Sequence, residues 1–364
     1  MNLVLIADGR SIHTQRWAEY FADRGHEVHL ITYDPMNRML PGVTEYVITS
    51  YWRNLYLSFI PRHLVIKRLV KQIMPDLIHA HFIAKYGFHL LDLKFRPTVV
   101  SAWGDDILIL PQKSCLIFWC TKKVLVSVDL VYAVSHNIGN HIVSDFMIPG
   151  QKVHYLPFGI DTSLFSPQGD TITERTGTIE IFSNRGFFSV YDSATLVRGF
   201  ALAYKENPAL RLTLKGDGPE EHQIRTLVTE LIQGGQIRFL KKSDYTDVPQ
   251  DYRNADIFIT TSLSDGTPVS VLEAMASGLP CIATAVGGIP EWIEHNVTGL
   301  LIQPKSPEQV AEAIQSLARD PQLRKRLGTA ARDVIVKKGQ WNSLMAQAEK
   351  DYLALIETYR QDTP

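Results

Sequence analysis

Residues Ala255–Glu291 read ADIFITTSLSDGTPVSVLEAMASGLPCIATAVGGIPE, and this stretch decides the fold. The apolar run Ile257–Ile259 predicts a short buried parallel strand. The small, polar and turn-forming residues Thr261–Gly266 predict a loop after it. A helix over Val269–Ser277 and a second strand at Cys281–Ala283 complete a strand–loop–helix–strand order, which predicts an α/β protein with parallel sheets.

The ends of this helix carry their own sequence signals. Thr267 is a suitable N-cap, and Pro268 suits the first turn, where a missing N–H costs nothing. Gly278 is typical of the residue after a helix, and Pro280 prevents the helix from continuing. The sequence therefore predicts that the helix N-terminus lies directly after the loop.

This order also predicts a ligand site. Open α/β sheets bind ligands at the carboxyl ends of their strands, and the N–H groups of a helix N-terminus favour anions such as a diphosphate. Asp265 precedes the helix and Glu273 lies within it. An ionised carboxylate only accepts hydrogen bonds, so these acids suit the hydroxyls of a ribose or a sugar ring. For Glu273 the alternative is a side chain that faces solvent.

The segment resembles the signature of family 4 retaining glycosyltransferases, which have the GT-B fold. The usual form is Glu-Gly-x-Pro-x-x-x-x-Glu-Ala-Met-Ala-x-Gly-x-Pro. Here it stands as Asp265-Gly266-Thr267-Pro268, followed by Glu273-Ala274-Met275-Ala276-Ser277-Gly278-Leu279-Pro280. One position departs from the pattern, because Asp265 replaces the first Glu.

The resemblance implies two Rossmann-like domains that face each other across a cleft, and 364 residues are enough for two cores. We expect an acceptor-binding N-terminal domain at 1–165 plus 346–364 and a nucleotide-sugar-binding domain at 177–345. The polar stretch 166–176 would be the linker. In relatives a final helix, here Trp341–Tyr359, crosses back to the first domain.

Composition excludes several other classes of protein. A formal net charge of -1 gives no indication of nucleic-acid binding, and 21% charged with 45% hydrophobic residues is typical of a soluble globular protein. Cys115, Cys120 and Cys281 have neither a disulfide framework nor zinc-ligand spacing. The N-terminus lacks a basic region before its short apolar run, and no run is long enough to span a membrane. We therefore expect a cytoplasmic protein.

Arg185 follows the predicted strand Ile179–Ser183, where relatives carry an Arg that holds the donor diphosphate. The Lys that relatives have five or six positions later is replaced by Val190 and Tyr191. Lys215, Lys241 and Lys242 are candidates to replace it, and the alternative for Arg185 is an ordinary surface residue. The resemblance implies catalytic roles for Asp265, Glu273 and Arg185. It also implies contacts with the donor at six further residues: Gly266, Thr267, Pro268, Gly216, Lys241 and Gly288.

The acceptor side would be built from four residues of the first domain: Gly9, His13, His81 and Asp106. Gly9 remains from the glycine-rich first loop of the family. His13 has an equal alternative as a polar residue at a helix start. At the position of Trp103, many relatives have a His that lies near the reacting sugar. Because this chain has Trp there, the role of that His is not assigned to Trp103. Trp103 could stack on a sugar face or simply pack.

A basic stretch, 51–74, suggests a second kind of surface. It contains five basic residues and no acid: Arg53, Arg62, Lys67, Arg68 and Lys71. Together with apolar residues at helical spacing, these predict either peripheral contact with an anionic membrane on its cytoplasmic side or an ordinary packed helix with a solvated basic face. Residues 113–126 are apolar with basic flanks, and a core helix is the favoured interpretation there, with a second membrane-facing patch as the alternative.

The resemblance implies transfer of a sugar from a nucleotide-diphosphate sugar to a glycan, lipid-linked or small-molecule acceptor, with retention of anomeric configuration. It implies no bound metal or other cofactor, and a place in bacterial surface polysaccharide or glycolipid biosynthesis. Two alternatives stay open. One is a nucleotide-sugar epimerase of the same fold. The other is a non-catalytic partner of a glycosyltransferase, which the missing Lys and Trp103 motivate.

Overall fold

The structure is a computed structural model that describes residues 1–49, 55–167, 177–232 and 234–361. The chain divides into two compact units. We call Met1–Pro157 with Ser343–Pro364 the first unit, and Phe158–Asn342 the second unit.

In the described part of the first unit, seven parallel strands form one sheet in the order β3-β2-β1-β4-β5-β6-β7. The strands are β1 Asn2–Ile6, β2 Glu27–Thr32, β3 Val43–Val47, β4 Leu77–His81, β5 Thr98–Ala102, β6 Leu130–Ala133 and β7 Val153–Tyr155. The helices are α1 Ile12–Asp23, α2 Leu55–Ile73, α3 Asp105–Leu108, α4 Leu110–Lys113, α5 Cys115–Ser127 and α6 His136–Phe146, with 3-10 turns at Gly87–Leu90 and Gly150–Lys152.

The second unit contains a six-stranded parallel sheet, counted over its described residues, in the order β10-β9-β8-β11-β12-β13. Its strands are β8 Ile179–Ser183, β9 Leu210–Lys215, β10 Ile237–Leu240, β11 Ile257–Thr260, β12 Cys281–Thr284 and β13 Leu300–Ile302. Its helices are α7 Ser193–Glu206, α8 Glu221–Leu231, α9 Val248–Arg253, α10 Val269–Ala276, α11 Pro307–Arg319 and α12 Pro321–Lys338, with 3-10 turns at Ser189–Tyr191 and Ile289–Glu291. The last helix of the chain, α13, spans Trp341–Gln361.

Both sheets are covered on two faces, as the continuous apolar strands predict. In the first unit the stacked rings of Phe21 and Tyr352, 5.2 Å apart, join α1 to α13. Parallel crossovers are right-handed. Because the connection from β1 to β2 runs towards one edge, whereas those from β3 to β7 run towards the other, α2, α5 and α6 lie on the opposite face from α1. Stacking of Phe118 on Phe146, at 4.7 Å, packs α5 against α6.

The strand order of the second unit places a switch point between β8 and β11. The chain leaves β8 for β9 on one side, and it reaches β11 on the other side only after β10. The loops at the carboxyl ends of β8 and β11 therefore diverge, and such a point is where doubly wound sheets bind ligands.

The boundary between the units differs from the predicted one. Residues 158–165, which the sequence assigned to the first domain, belong to the second unit. The reason is their bonding: the Ile160 amide donates to the Gly339 carbonyl at 2.7 Å, and Phe165 is fully buried in the core of that unit. Most of the predicted linker 166–176, from residue 168 onward, lies outside the described residues. From Ser343 onward α13 groups with the first unit.

The predicted fold class is confirmed, because the chain forms two Rossmann-like halves, each with a parallel sheet between helices. Among the helices of the described ranges, none combines the length and the apolar character that a membrane crossing needs.

Candidate active site

The loop between β11 and α10 brings the signature segment to the switch point. The helix begins at Val269 and its N-cap is Pro268, whose carbonyl accepts the amides of Val271 and Leu272 at 2.8 and 3.0 Å. The prediction that Thr267 caps this helix is therefore wrong, because the chain turns into the helix one residue later. At the other end Gly278 has φ of +76°, a conformation that glycine adopts without cost.

Arg185 and Asp265 form a nearly buried ion pair at this loop. The Arg185 Nη2 donates to Asp265 Oδ2 at 2.5 Å, and Nη1 donates to Ser270 Oγ, in the first turn of α10, at 3.1 Å. The two side chains are 15% and 8% exposed, so the interpretation of Arg185 as an ordinary surface residue is wrong. The buried Arg185 Nε has no hydrogen-bond partner within the described ranges.

The position where relatives carry Lys explains part of this geometry. The ring of Tyr191 lies under the Arg185 guanidinium, 4.2 Å from Cζ to the ring centre. The Arg185 guanidinium can stack on the face of the Tyr191 ring, whereas a Lys at position 191 would repel the guanidinium. Tyr191 therefore stabilises the single cation of this loop instead of supplying a second one.

Glu273 lies one turn further along α10 and is 4% exposed, so the alternative of a solvent-facing side chain is wrong. The Tyr252 hydroxyl donates to Glu273 Oε2 at 2.8 Å, and Asn184 Nδ2 donates to the Tyr252 oxygen at 3.0 Å. Burial, together with the negative charge of Glu273, raises the pKa of Tyr252 well above its usual range. Tyr252 therefore remains a hydrogen-bond donor that fixes the Glu273 carboxylate.

Glycine allows two loops to lie directly against these groups. Gly287 has φ of +54°, and a Cβ there would overlap the Asp265 carbonyl oxygen. Next to it the Gly288 amide donates to that same carbonyl at 3.0 Å. Gly288, predicted as a donor contact, thus supports the Asp265 backbone. At Gly216, φ is +138° and a Cβ would lie 2.6 Å from the Cα of Gly186, which follows Arg185.

The candidate lysines are placed differently from one another. Lys215 is buried, donates to Ser243 Oγ at 2.6 Å and pairs with Asp251. Lys241, the predicted donor contact, is exposed, as is Lys242. Of the remaining donor-side residues, Gly266, Thr267 and Pro268 are buried in the loop that joins Asp265 to α10.

In the first unit, the turn after β1 is held tightly at Gly9. Its amide donates to Thr32 Oγ1 at 3.0 Å, and its carbonyl accepts Gln15 Nε2 at 2.7 Å. A Cβ on Gly9 would lie 2.6 Å from the carbonyl oxygen of Asp34. The glycine therefore allows the turns after β1 and β2 to approach closely.

His13 and His81 both lie next to the ring of Trp103. Ring centres are 5.8 Å apart for His13 and Trp103, and 5.3 Å apart for His81 and Trp103. Burial lowers the pKa of both imidazoles to about 3, with the charge of Arg16 contributing at His13. The His81 Nε2 is buried without a hydrogen-bond partner in the part of the chain that the structure describes. The structure thus brings these residues together as neutral rings.

Asp106, the fourth predicted acceptor residue, is fully buried and organises the backbone. Its carboxylate accepts the amides of Ile83, Trp103 and Gly104 at 2.8, 3.0 and 2.9 Å. Burial raises its pKa to about 6 against the opposing effect of these N–H groups. The structure therefore shows Asp106 tying the loop after β5 to the loop after β4.

Sequence reasoning missed several residues that contact the predicted site residues in the two units. Tyr252 and Ser270 carry no motif signal beyond their neighbourhood. In the first unit, Lys85 pairs with Asp34 at 3.0 Å beside the Gly9 turn. Burial opposes ionisation of Asp34, but Lys85 and Arg10 lower its pKa. A signal existed for Asp34, because it follows the apolar strand β2 closely, as Asp8 follows β1.

Within the described residues, no group of three or more His, Cys, Asp or Glu side chains is arranged to hold a metal ion. The independence from metal that the resemblance implies stays a prediction.

The two halves with parallel sheets and the ligand-binding switch point define a GT-B type of glycosyltransferase architecture. A family model described as "Glycosyl transferases group 1" matches residues 175–334, and one described as "Glycosyl transferase 4-like" matches residues 2–135. The chain belongs to the glycosyltransferases of this family 4 type.

Relatives cover most of the chain. The N-acetyl-alpha-D-glucosaminyl L-malate synthase of Bacillus anthracis is 27% identical over 92% of this chain and 91% of its own. Anabaena HepE, solved with UDP-glucose, matches with a TM-score of 0.82 at 19% identity, over 98% of this chain and all of its own. Sucrose-phosphate synthase from Thermosynechococcus elongatus matches with the same TM-score at 20% identity, over the same shares.

Proposed function

We propose that this protein transfers a sugar from a nucleotide-diphosphate sugar to a hydroxylated acceptor, with retention of anomeric configuration. The observation that carries the proposal is the arrangement of Arg185 at the start of α10. Its guanidinium joins Asp265 to Ser270, and its buried Nε has no partner among the described residues. A cation with an unmet donor beside a helix N-terminus suits a diphosphate.

The ion pair of Arg185 and Asp265 gives each partner a role in the reaction. Negative charge builds up on the departing nucleoside diphosphate, and a fixed guanidinium stabilises it most in the transition state. Asp265 would accept hydrogen bonds from hydroxyls of the transferred sugar. Before the donor binds, the Asp265 carboxylate neutralises the charge of Arg185. When the donor binds, the diphosphate oxygens replace this carboxylate as hydrogen-bond acceptors of the guanidinium.

Glu273 is proposed to accept hydrogen bonds from the ribose diol of the donor. An ionised carboxylate is suited to two neighbouring hydroxyls. The bond from Tyr252 at 2.8 Å sets its orientation in advance, which reduces the ordering that donor binding requires. Tyr252 is thus a positioning residue that acts through Glu273.

The acceptor would be bound by Gly9, His13 and His81, with the flat face of Trp103 available to a sugar ring. Because their pKa values are low, His13 and His81 are neutral near pH 7 and can each accept or donate a hydrogen bond to a hydroxyl. Asp106 contributes by holding the backbone on which Trp103 lies.

The names of relatives support this class of donor and acceptor. A protein found in two strains of Mycobacterium tuberculosis, 28% identical over 60% of this chain, is named as a GDP-mannose-dependent phosphatidylinositol monomannoside mannosyltransferase. HepE is bound to UDP-glucose. We propose by analogy a cytoplasmic, metal-independent enzyme that extends a glycan or lipid-linked acceptor in bacterial surface polysaccharide or glycolipid synthesis.

The test is a donor screen followed by product analysis. UDP-, GDP- and ADP-sugars are added with a panel of lipid-linked and free glycan acceptors, and we expect acceptor-dependent release of one nucleoside diphosphate and an axial product linkage from an axial donor. Glu273→Ala should abolish turnover, whereas Glu230→Ala, an exposed acid on α8, should not change it. A new nucleotide sugar formed without acceptor would instead identify an epimerase. Donor binding without any turnover would identify a non-catalytic partner.

A further inference from the structure

The outer layer of the first unit exposes apolar side chains on two helices. On α5, Leu116, Trp119 and Val126 are 65%, 56% and 58% exposed. The interpretation of 113–126 as a core helix is therefore wrong for one of its faces. On α2, Ile60 and Leu64 are 69% and 61% exposed. Residues 51–54 of the basic stretch lie outside the described residues.

On α5 the exposed side chains form one stripe rather than a scatter. Leu116, Trp119, Lys123 and Val126 follow each other at spacings of three and four residues, which places them on a single helix face. Lys123 Nζ lies 5.2 Å from the centre of the Trp119 ring. An indole beside an ammonium group is an arrangement that suits the level of lipid headgroups.

The stripes of α2 and α5 belong to the same side of the sheet. The 3-10 turn Gly87–Leu90 lies between them: α5 packs against this turn, and the rings of Phe59 and His89 stack at 4.4 Å to join α2 to it. The strand order places both helices opposite α1 and α13. Since the inner sides of both helices are used for packing, their exposed residues point away from the sheet.

The charge on this layer has one sign. Neither α2 nor α5 contains an acidic residue, and their basic residues are Arg62, Lys67, Arg68, Lys71, Lys122 and Lys123. Of the nearby acids, Asp92 pairs with Lys67 at 2.8 Å, and Asp145 on α6 contacts His141 at 2.7 Å, a residue that is charged only when protonated. The layer therefore combines exposed apolar groups with a positive potential.

At the C-terminal end of α2 there is also an open recess of about 520 Å³. Its lining includes three lysines, Lys67, Lys71 and Lys94, and apolar side chains such as those of Met74 and Phe95. A phosphate-bearing headgroup would meet cations there, and its hydrocarbon part would meet apolar carbon.

We propose that the exposed faces of α2 and α5 dock the protein on an anionic phospholipid surface. Lysines near such a surface gain free energy from its negative potential, and the apolar stripe can enter the boundary between headgroups and acyl chains. A second copy of the chain is a poorer occupant, because a two-fold interface would bring the same basic face against itself. Nucleic acid would leave Leu116, Trp119 and Leu64 exposed to water.

The test measures vesicle binding of the full chain by flotation. Vesicles of phosphatidylcholine with about 30 mol% phosphatidylglycerol should bind the protein, and pure phosphatidylcholine vesicles should bind it far less. Raising the salt concentration should weaken binding by screening. Lys122→Gln with Lys123→Gln should lower partitioning by about 30-fold, and Trp119→Ala by about tenfold.

A matched control exists on α12, where exposed Val336 adjoins two exposed lysines, Lys337 and Lys338. Replacing these lysines with Gln, or Val336 with Ala, should leave vesicle binding unchanged. Equal binding to neutral and anionic vesicles, or an unchanged affinity of the Lys122/Lys123 variant, would overturn the proposal. So would a protein dimer that Trp119→Ala dissociates in solution. The lysine variant alone decides the matter if Trp119→Ala fails to fold.

Discussion

In the second unit, an ion pair lies at the loop that leads into α10, whereas the predicted site residues around Trp103 in the first unit are neutral rings. Arg185 and Asp265 pair beside the buried Glu273, and glycine loops press against them. Around Trp103, in contrast, His13 and His81 are held uncharged by burial. A fixed ion pair suits one charged ligand of constant chemistry, and neutral rings suit a hydroxylated ligand whose shape varies.

The same contrast explains why one half was easier to recognise. Asp265 and Glu273 are eight positions apart, so a single motif carries both acids of the charged cluster, and Arg185 directly follows a predicted strand. The neutral cluster takes its members from the start of α1, the end of β4 and the loop after β5. Such a site can change one loop at a time, and no single stretch of sequence records it.

Loss of Arg185 should give the largest effect and should affect the second unit alone. Arg185→Ala removes the cation for the leaving group, so kcat/KM for sugar transfer should fall by about 10²–10³-fold. It also leaves Asp265 as a nearly buried charge without its partner, which should lower the free energy of unfolding by about 3 kcal/mol. Transfer assays and thermal melting measure the two effects.

Arg225→Ala is the matched control for this substitution. Arg225 also lies over an aromatic ring, that of Phe239 at 4.1 Å, but it is an exposed residue of α8. Its loss should leave kcat/KM within about twofold of the native value, since exposed pairs contribute little. Full transfer activity in Arg185→Ala would refute the assignment of the charged cluster as the donor site.

Acid should act mainly on the first unit, which contains ten of the twelve histidines of the chain. Burial lowers the pKa of His89 to about 3 in the folded chain, whereas an exposed His in the unfolded chain has a pKa of about 6.5. Below pH 6.5 the unfolded chain therefore binds a proton at His89, and the folded chain binds it only near pH 3. The unfolded state then holds more protons, and stability falls as pH falls from 6.5 towards 3. His89→Gln should reduce this slope by about 1.4 kcal/mol per pH unit between pH 6 and 4.

Denaturant unfolding at a series of pH values measures the slope. His295→Gln serves as the control, because His295 is exposed in the second unit and should leave the slope unchanged. An identical slope in His89→Gln and the native protein would show that His89 is protonated in the folded state.

Tyr252→Phe should have the smallest effect and tests whether the charged cluster is pre-arranged. The ring keeps its packing, but Glu273 loses a hydrogen bond, which should cost about 1–2 kcal/mol and lower kcat/KM by about tenfold. Donor affinity separates the two interpretations: a positioning role weakens the Kd for the donor, whereas a purely structural role lowers only the melting temperature. Tyr204→Phe, in the helical layer of the same unit, is the control.

Much of the fold was predictable because buried strands and helix ends leave local signals. The strands at Ile257 and Cys281 and the stop at Gly278 were predicted from short patterns. The domain boundary differed because the bonds of Ile160 to Gly339 and Trp341 join residues far apart in sequence. No local pattern indicates which distant segment a chain will meet.

For the candidate site, the sequence predicted which side chains have suitable chemistry, but it did not predict their contacts. Sequence identified Arg185, Asp265 and Glu273, but not that the first two pair with each other or that Tyr252 holds the third. It also named Asp106 for the acceptor side, but it did not indicate that this carboxylate accepts three backbone amides. The hydrogen-bond partners of a buried carboxylate come from segments that meet only in the folded chain. No local pattern in a single sequence shows which segments these are.

The central claim, that the charged cluster of the second unit holds the nucleotide donor, is tested most directly by hydrogen exchange of the full chain with and without a saturating nucleotide sugar. We predict protection in peptides that cover residues 184–188, 262–273 and 286–289, and its loss in Arg185→Ala. Protection confined to peptides of the first unit that cover 8–15, 79–86 and 103–106, with calorimetry confirming that the donor is bound, would contradict the account.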